Sequence, residues 1–405
     1  MLRSRGRRGM AMIEGWRYMP VSGLATFCSG GTPNKRRPDF WNGPVPWVTV
    51  KDMKVMRLNG VAESLTNEGA RTVRVVPLGA VLVLVRGMGL FKGLPVVLCN
   101  RPVAFNQDIK ALIPKEGVDG EFLALSIIAR QSDILRHVDT AGHGTGRLDT
   151  ELLKSTPLPF PPLPQQRKIA EILRTWDDAL EKLTTLRVAK TQRLKSLRAT
   201  LLFGSLRLNG QRRDWTPTRL AVVTHELTER NGVNGLGRDY VMGVTKAQGV
   251  VPMREQTIAG DISRYKRLPP RAFAYNPMRI NVGSIAMNHR DEEVLVSPDY
   301  VVFACNADGL DPGYLDHLRK TSWWAHYINS GGSGSVRQRT YYADLAALKL
   351  PLPELDEQKA ITEVLDTARD DLEATEREIK AVTRQKRGLM QKLLTGEWRV
   401  EVEIA

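Results

Sequence analysis

LPQQRKIAEILRTWDDALEKL, beginning at Leu163, returns as LDEQKAITEVLDTARDDLEAT, beginning at Leu355. The offset is 355 − 163 = 192 residues. At that offset, without a gap, LKSLRATLLFG, ending at Gly204, falls on KRGLMQKLLTG, ending at Gly396. About a third of the paired positions are identical, among them Gln166/Gln358, Leu173/Leu365, Asp178/Asp370 and Gly204/Gly396. A fixed period of this kind marks an internal repeat.

Each copy reads as a long helix. Prolines (Pro157–Pro164; Pro351 and Pro353) hold the chain extended before it, and Gly204 and Gly396 stand where a left-handed residue closes a helix. Between them apolar residues recur at spacings of three and four. The first copy has Ile169, Leu173, Leu180, Leu197 and Leu201, and the second has Ile361, Leu365, Leu372, Leu389 and Leu393. This is a coiled-coil seam, interrupted by Arg187, Lys190, Thr375 and Lys386, polar residues of the kind that set register. Such seams can be buried between molecules, as a dimerisation zipper, or against each other within one chain. A tandem repeat folding on itself makes a pseudo-twofold, and a twofold perpendicular to two helices makes them antiparallel. A helix of forty residues is about 60 Å long and holds what is attached at its ends apart.

The repeat continues weakly outside the helices. VPLGAVLVLVRG (76–87) falls on LPPRAFAYNPMR (268–279), and FNQDIKALIP (105–114) on SPDYVVFACN (297–306), each pair strand-like. The expected architecture is two diverged α/β (α+β) recognition globules joined by two long antiparallel coiled-coil helices. The expected boundaries are a basic tail (1–15), a first globule (16–161), a first spacer helix (162–205), a second globule (206–353), a second spacer helix (354–396) and a C-terminal tail (397–405). The tail MLRSRGRRG is followed by no apolar segment, and the true start can lie at Met10 or Met12.

The net charge of +15 attracts polyanions. The longest apolar stretch, AVLVLV (80–85), is far too short to cross a membrane. Cys28, Cys99 and Cys305 stand far apart, which suits neither a disulfide framework nor a zinc site and fits the reducing cytoplasm.

Catalytic motifs are incomplete. Pro38-Asp39 followed by Asp52-Met53-Lys54 imitates a metal-dependent nuclease pattern, but loosely. Asn276-Pro277-Met278-Arg279 begins like an adenine-methylation element and lacks its second proline and aromatic. No GxxxxGK[ST] phosphate loop occurs, so ATP hydrolysis is not expected. What the globules do carry is binding chemistry. Thr32, Lys35, Trp47, Lys51, Arg86, Asn106, Gln107, Lys110 and Arg147 in the first, and Lys246, Arg279, Asn281, Arg337 and Arg339 in the second, mix cations, amides and aromatics. Arg and Lys suit phosphates and guanine edges, and Asn and Gln suit adenine.

SGGTP (29–33), PWVTVKDM (46–53), FNQDIKAL (105–112), PLPFPPLPQQRKIAEIL (157–173), its echo PLPELDEQKAITEVL (351–365) and LLTGEW (393–398) together resemble the specificity subunits of type I restriction–modification enzymes, over nearly the whole chain. Gln165 departs from the glutamate more usual in that family. The resemblance implies two target-recognition domains reading the halves of a bipartite, asymmetric double-stranded DNA site, with the helices fixing the gap. It implies two methylation subunits and two restriction/translocation subunits as partners. S-adenosylmethionine, ATP and Mg would be bound by those partners and none by this non-catalytic chain. A methylation-only complex, or a self-contained metal-dependent nuclease, are the alternatives.

Overall fold

The computed structural model describes residues 16–401 apart from 59, 142–143, 209–213, 234 and 331–338. The chain divides into two units. One takes the chain up to Lys182 together with the stretch from Ile379, and the other is Leu183–Glu378. The division therefore runs through the long helices.

In the first unit a four-stranded antiparallel sheet has the order Ala25–Ser29, Ile109–Pro114, Val81–Leu84, Val96–Leu98. Val81–Leu84 is the apolar run of the sequence, and every one of its side chains is buried, as a central strand covered on both faces demands. The helix Gly120–Ala129 packs on this sheet. A second sheet has the order Glu63–Leu65, Trp41–Val48, Val103–Phe105, Val75–Val76, with Trp41–Val48 and Val103–Phe105 parallel. Arg17–Pro20 pairs with Pro157–Phe160 in a two-stranded ribbon, where edge prolines are tolerated.

The second unit repeats the plan. Its first sheet runs Thr224–Leu227, Val301–Cys305, Phe273–Tyr275, Ile285–Met287, and its second runs Gly249–Pro252, Val241–Thr245, Val294–Val296, Lys266–Leu268. The single parallel pair recurs between Val241–Thr245 and Val294–Val296, and the ribbon recurs as Thr216–Arg219 with Lys349–Leu352. The segments 76–87 and 268–279 thus supply the same strand of the same sheet, as do 105–114 and 297–306.

The helices span Leu163–Leu201 and Leu355–Thr395. Gly204 (φ 71°) and Gly396 (φ 77°) close them in the left-handed conformation. Beyond each, Leu206 N–H donates to Thr200 O and Trp398 N–H to Lys392 O, both 3.1 Å. Within each unit the start of one helix meets the end of the other. In the first, Ile169 and Leu173 share a core with Leu393, Leu394 and the half-buried Leu389. In the second, Leu194, Leu197 and Leu201 share one with Ile361, Leu365 and Leu372. The helix segments therefore run antiparallel. The apolar side chains of the seam are deeply buried only near these helix ends. Leu180, Leu183 and Leu372 are half-buried, and polar pins hold the pairing there. Lys386 pairs with Asp177 in the first unit. In the second, Lys190 Nζ reaches Asp371 Oδ1 at 2.7 Å and the buried Thr375 Oγ1 at 3.0 Å.

One buried amide fastens each globule to its helix, and it is duplicated atom for atom. Gln166 Oε1 accepts from Asp119 N–H (2.9 Å), and its Nε2 donates to Gly117 O (3.0 Å) and Pro161 O (2.8 Å). Gln358 Oε1 accepts from Asp311 N–H (2.8 Å), and its Nε2 donates to Gly309 O (3.1 Å) and Pro353 O (2.9 Å). All four positions keep the offset of 192. Asp119 and Asp311 in turn cap the helices that follow, accepting from Phe122 and Tyr314 N–H at 2.9 Å.

The ionic locks beside these clamps differ. In the first unit the buried Glu121 is held by Arg57 and Arg174. In the second, Arg198 Nε donates to His317 Nδ1 (3.2 Å), and His317 Nε2 bonds Asp366 Oδ1 (2.8 Å). Burial pushes His317 down to about 4, helped by Arg198 and Lys320 and opposed by Asp366, so the imidazole is neutral and its Nε2–H is the donor to Asp366.

Gln166→Leu or Gln358→Leu orphans a buried N–H and two carbonyls, and each should cost roughly 1–3 kcal/mol per orphaned donor, measured by denaturant unfolding; an unchanged midpoint would show that the amide is not the fastening. Because His317 is lowered from 6.5, the unfolded chain binds the extra proton first as pH falls. The second unit's unfolding midpoint should be flat above pH 6.5 and drop toward pH 4, and His317→Gln should remove that drop.

Candidate nucleic-acid interface

The loop SGGTP leaves the first sheet at Ser29 and folds on the loop after Val103–Phe105. A Cβ at Gly30 would lie 2.3 Å from the carbonyl oxygens of Phe105 and Asn106, so only glycine permits the approach. Gly31 N–H donates to Phe105 O (2.9 Å), and Thr32 Oγ1 donates to Gln107 Oε1 (2.6 Å). The exposed Lys35 sits 5.9 Å from the Trp41 ring and 5.7 Å from Trp47. Lys51 is exposed on the turn that follows Trp41–Val48.

Two expectations need correction. Trp47 is only 3% exposed, its indole N–H donates to Gly31 O (3.0 Å), and it stacks edge-on against Trp41. It holds the loop from below and has no face free for a base. Asn106 is also buried, its side chain tied to Asp108 at the turn. Their positions within an amide- and cation-rich loop gave no sign of this.

Arg86, Gln107, Lys110 and Arg147 come together as the lining of one cavity of about 320 Å³. Lys110 Nζ donates to Ser29 Oγ (2.6 Å) at its edge. Sequence reasoning missed Arg71 and Arg74, which border an open depression with Ser29, Gly30 and Gly31. Their only signal was two cations three residues apart before a short strand.

In the second unit Lys246 is exposed and its aliphatic stem lies along Gly283. Arg279 and Asn281 are exposed around the turn Ile280–Val282. Arg339 is exposed, with Nε 3.3 Å from Met278 Sδ. Arg337 lies outside the described residues. Lys246 also borders a larger cavity with His289, Arg290, Arg319, Lys320 and Arg369. Most of those cations are committed. Arg319 and Lys320 hold the buried Asp316, and Arg369 pairs with Asp366 and Asp370. Burial opposes ionisation of Asp316, but His289, Arg319 and Lys320 outweigh it and keep the carboxyl below its usual range.

That contrast sorts the basic residues. Arg37, Arg57, Arg174, Arg207 and Arg319 are spent on carboxylates within the fold. Among the described residues Lys35, Lys51, Arg86, Lys110, Arg147, Lys246, Arg279 and Arg339 have no acidic partner. Unpaired cations grouped with amides are what contact with phosphates and base edges requires. The nuclease-like acids are otherwise occupied. Asp39 pairs with Arg37, and Asp52 accepts from Thr49 N–H, Thr49 Oγ1 and Ala62 N–H, so it organises a turn.

Residues 13–190 match the family described as type I restriction modification DNA specificity domain. Over 164 residues the chain is 34% identical to the type I restriction enzyme EcoR124I/EcoR124II specificity subunit of Escherichia coli, covering 40% of this chain and 41% of that protein. It is 26% identical over 172 residues to the MjaIX specificity subunit of Methanocaldococcus jannaschii, covering 41% of this chain and 39% of that protein. The match thus spans about two-fifths of the length of either relative. To the MjaVIII specificity subunit of the same organism it is 22% identical over 424 aligned positions, covering 97% of this chain and 95% of that one. The fold is that of the type I restriction-modification system S subunit from M. genitalium, with a TM-score of 0.59 at 14% identity over 94% of this chain and 96% of the other. Residues 13–190 thus match the type I restriction modification DNA specificity domain, and over nearly its whole length the chain is similar to type I restriction enzyme specificity subunits.

Proposed function

We propose that this chain is the DNA-recognition subunit of a type I restriction–modification complex. Each unit contributes one recognition domain, and the two domains read the unlike halves of a bipartite, asymmetric double-stranded site. The observation that carries this is the duplication itself. One sheet order and one glutamine clamp occur twice, while the unpaired cations set on that frame differ between the copies. Equal frames with unequal readers fit an asymmetric site.

Lys35, Lys51, Lys110, Arg71 and Arg74 supply phosphate contacts whose counterion release makes affinity fall steeply with salt. Arg86, Gln107, Arg147, Arg279, Asn281 and Arg339 face base edges. Joining two weak readers raises the effective concentration of the second once the first is bound. The paired helices count the unread base pairs between the halves. Two methylation subunits and two restriction subunits complete the complex, and S-adenosylmethionine, ATP and Mg belong to them. This chain recognises and recruits without catalysing, in the cytoplasm. Among the described residues no helix is long and apolar enough to cross a membrane, and the named relatives are specificity subunits of the same kind of enzyme.

Removing one heptad from each helix around the Lys190–Asp371 crossing shortens the pair by about 10 Å, or about three base pairs at 3.4 Å each. Methylome sequencing should then show the same half-sites with a shorter gap. Altered half-sites at an unchanged gap would contradict the helices' role as the counting element.

A further inference from the structure

Arg86 and Arg147 face each other across an antiparallel bridge. Leu148 N–H donates to Val85 O and Gly87 N–H to Gly146 O, both 2.9 Å. This is the non-hydrogen-bonded type of pair, in which opposite side chains leave the same face at closest approach. Like charges so placed repel. Neither guanidinium has an acidic partner among the described residues. Asp149 and Glu151 border the same cavity, but Asp149 caps the helix it precedes, accepting from Glu151 N–H at 2.8 Å, and Glu151 pairs with Lys154 at 2.8 Å. An uncompensated arginine pair at the mouth of a cavity is an arrangement that a ligand rich in acceptors would relieve.

The second unit builds the same pair from different residues. At the offset of 192, Arg86 falls on Met278 and Arg147 on Arg339. Thr340 N–H donates to Pro277 O (3.1 Å), the counterpart of the Leu148–Val85 bond. Arg339 Nε lies 3.3 Å from Met278 Sδ, so the two side chains are again neighbours. One position in the frame thus holds two guanidiniums in one recognition domain and a thioether beside a guanidinium in the other.

We propose that this cross-strand pair is the principal base-reading position of each recognition domain and that its composition makes the two half-sites differ. It rests on the split-site reading above. Arginine matches the O6 and N7 acceptors of guanine with two parallel hydrogen bonds, and an apolar group matches the methyl of thymine. Arg86 with Arg147 takes two neighbouring guanine edges. Met278 with Arg339 takes a guanine beside a thymine, whose methyl packs on the thioether. The sites are exposed, so substitutions there leave the core intact.

The test compares the methylated motifs produced by the full chain together with the methylation subunits of its own system, as wild type, Arg86→Met, Arg86→Lys and Met278→Arg. Arg86→Met should lower discrimination at one guanine of one half-site by about tenfold and leave the other half-site and the gap alone. Met278→Arg should weaken the thymine preference in the other half-site only. Arg86→Lys keeps the charge but not the two-bond fork, so it should keep the salt dependence of binding and lose the discrimination. A uniform loss across all sequences in Arg86→Met, with a shallower salt slope, would make the pair a phosphate contact and overturn the assignment. A wild-type motif in two parts that neither Arg86→Met nor Met278→Arg alters would overturn it too, while leaving the split-site reading in place. A wild-type chain with no two-part motif would sink that reading and this assignment with it.

Discussion

Each long helix carries an apolar stripe whose two ends enter cores shared with a globule. It is buried against the other helix running the opposite way. Ile169 and Leu173 meet Leu393 and Leu394 in one unit, and Ile361 and Leu365 meet Leu194 and Leu201 in the other. Everything else follows from that constraint. Antiparallel pairing makes each unit a composite of a globule, the start of one helix and the end of the other, and so explains why the chain divides within its helices.

The clamp on each helix entry turns this pairing into a construction rule. Gln166 and Gln358 satisfy three main-chain groups apiece in fully buried surroundings. A buried amide with all its hydrogen bonds made fixes a unique orientation, because any slip leaves polar groups unpaired. The locks around it differ, Glu121 between two arginines in one unit and the neutral His317 between Arg198 and Asp366 in the other. The frame is held by geometry common to both halves and tuned by charges peculiar to each.

The helices, the repeat and the closing glycines were legible in the sequence because they are properties of short spacings. The strand equivalences of 76–87 with 268–279 and of 105–114 with 297–306 were legible because the offset carries through the sheet. Contacts between distant positions were not. Gln166 reads as one more identical pair until Asp119 and Gly117 are brought to it, 47 and 49 residues away. The polar interruptions of the seam were visible, but not that Lys190 would reach Asp371 or Lys386 reach Asp177 where Leu180 and Leu372 are half-buried. Trp47 and Asn106 looked like readers because composition cannot tell the top of a loop from its underside. Conversely, sequence could not tell which arginines are consumed internally, and it is this that separates Arg86 and Arg147 from Arg57 and Arg174.

Crosslinking tests the antiparallel, intrachain pairing most directly. With Cys28, Cys99 and Cys305 replaced by alanine, cysteines are placed at Asp177 with Lys386 and, separately, at Lys190 with Asp371, and a short bifunctional thiol reagent is applied to dilute protein. Both pairs should link within a single chain at high yield. Links that form only between copies, or a preference of position 177 for a cysteine at Arg369, its parallel counterpart, would contradict the account.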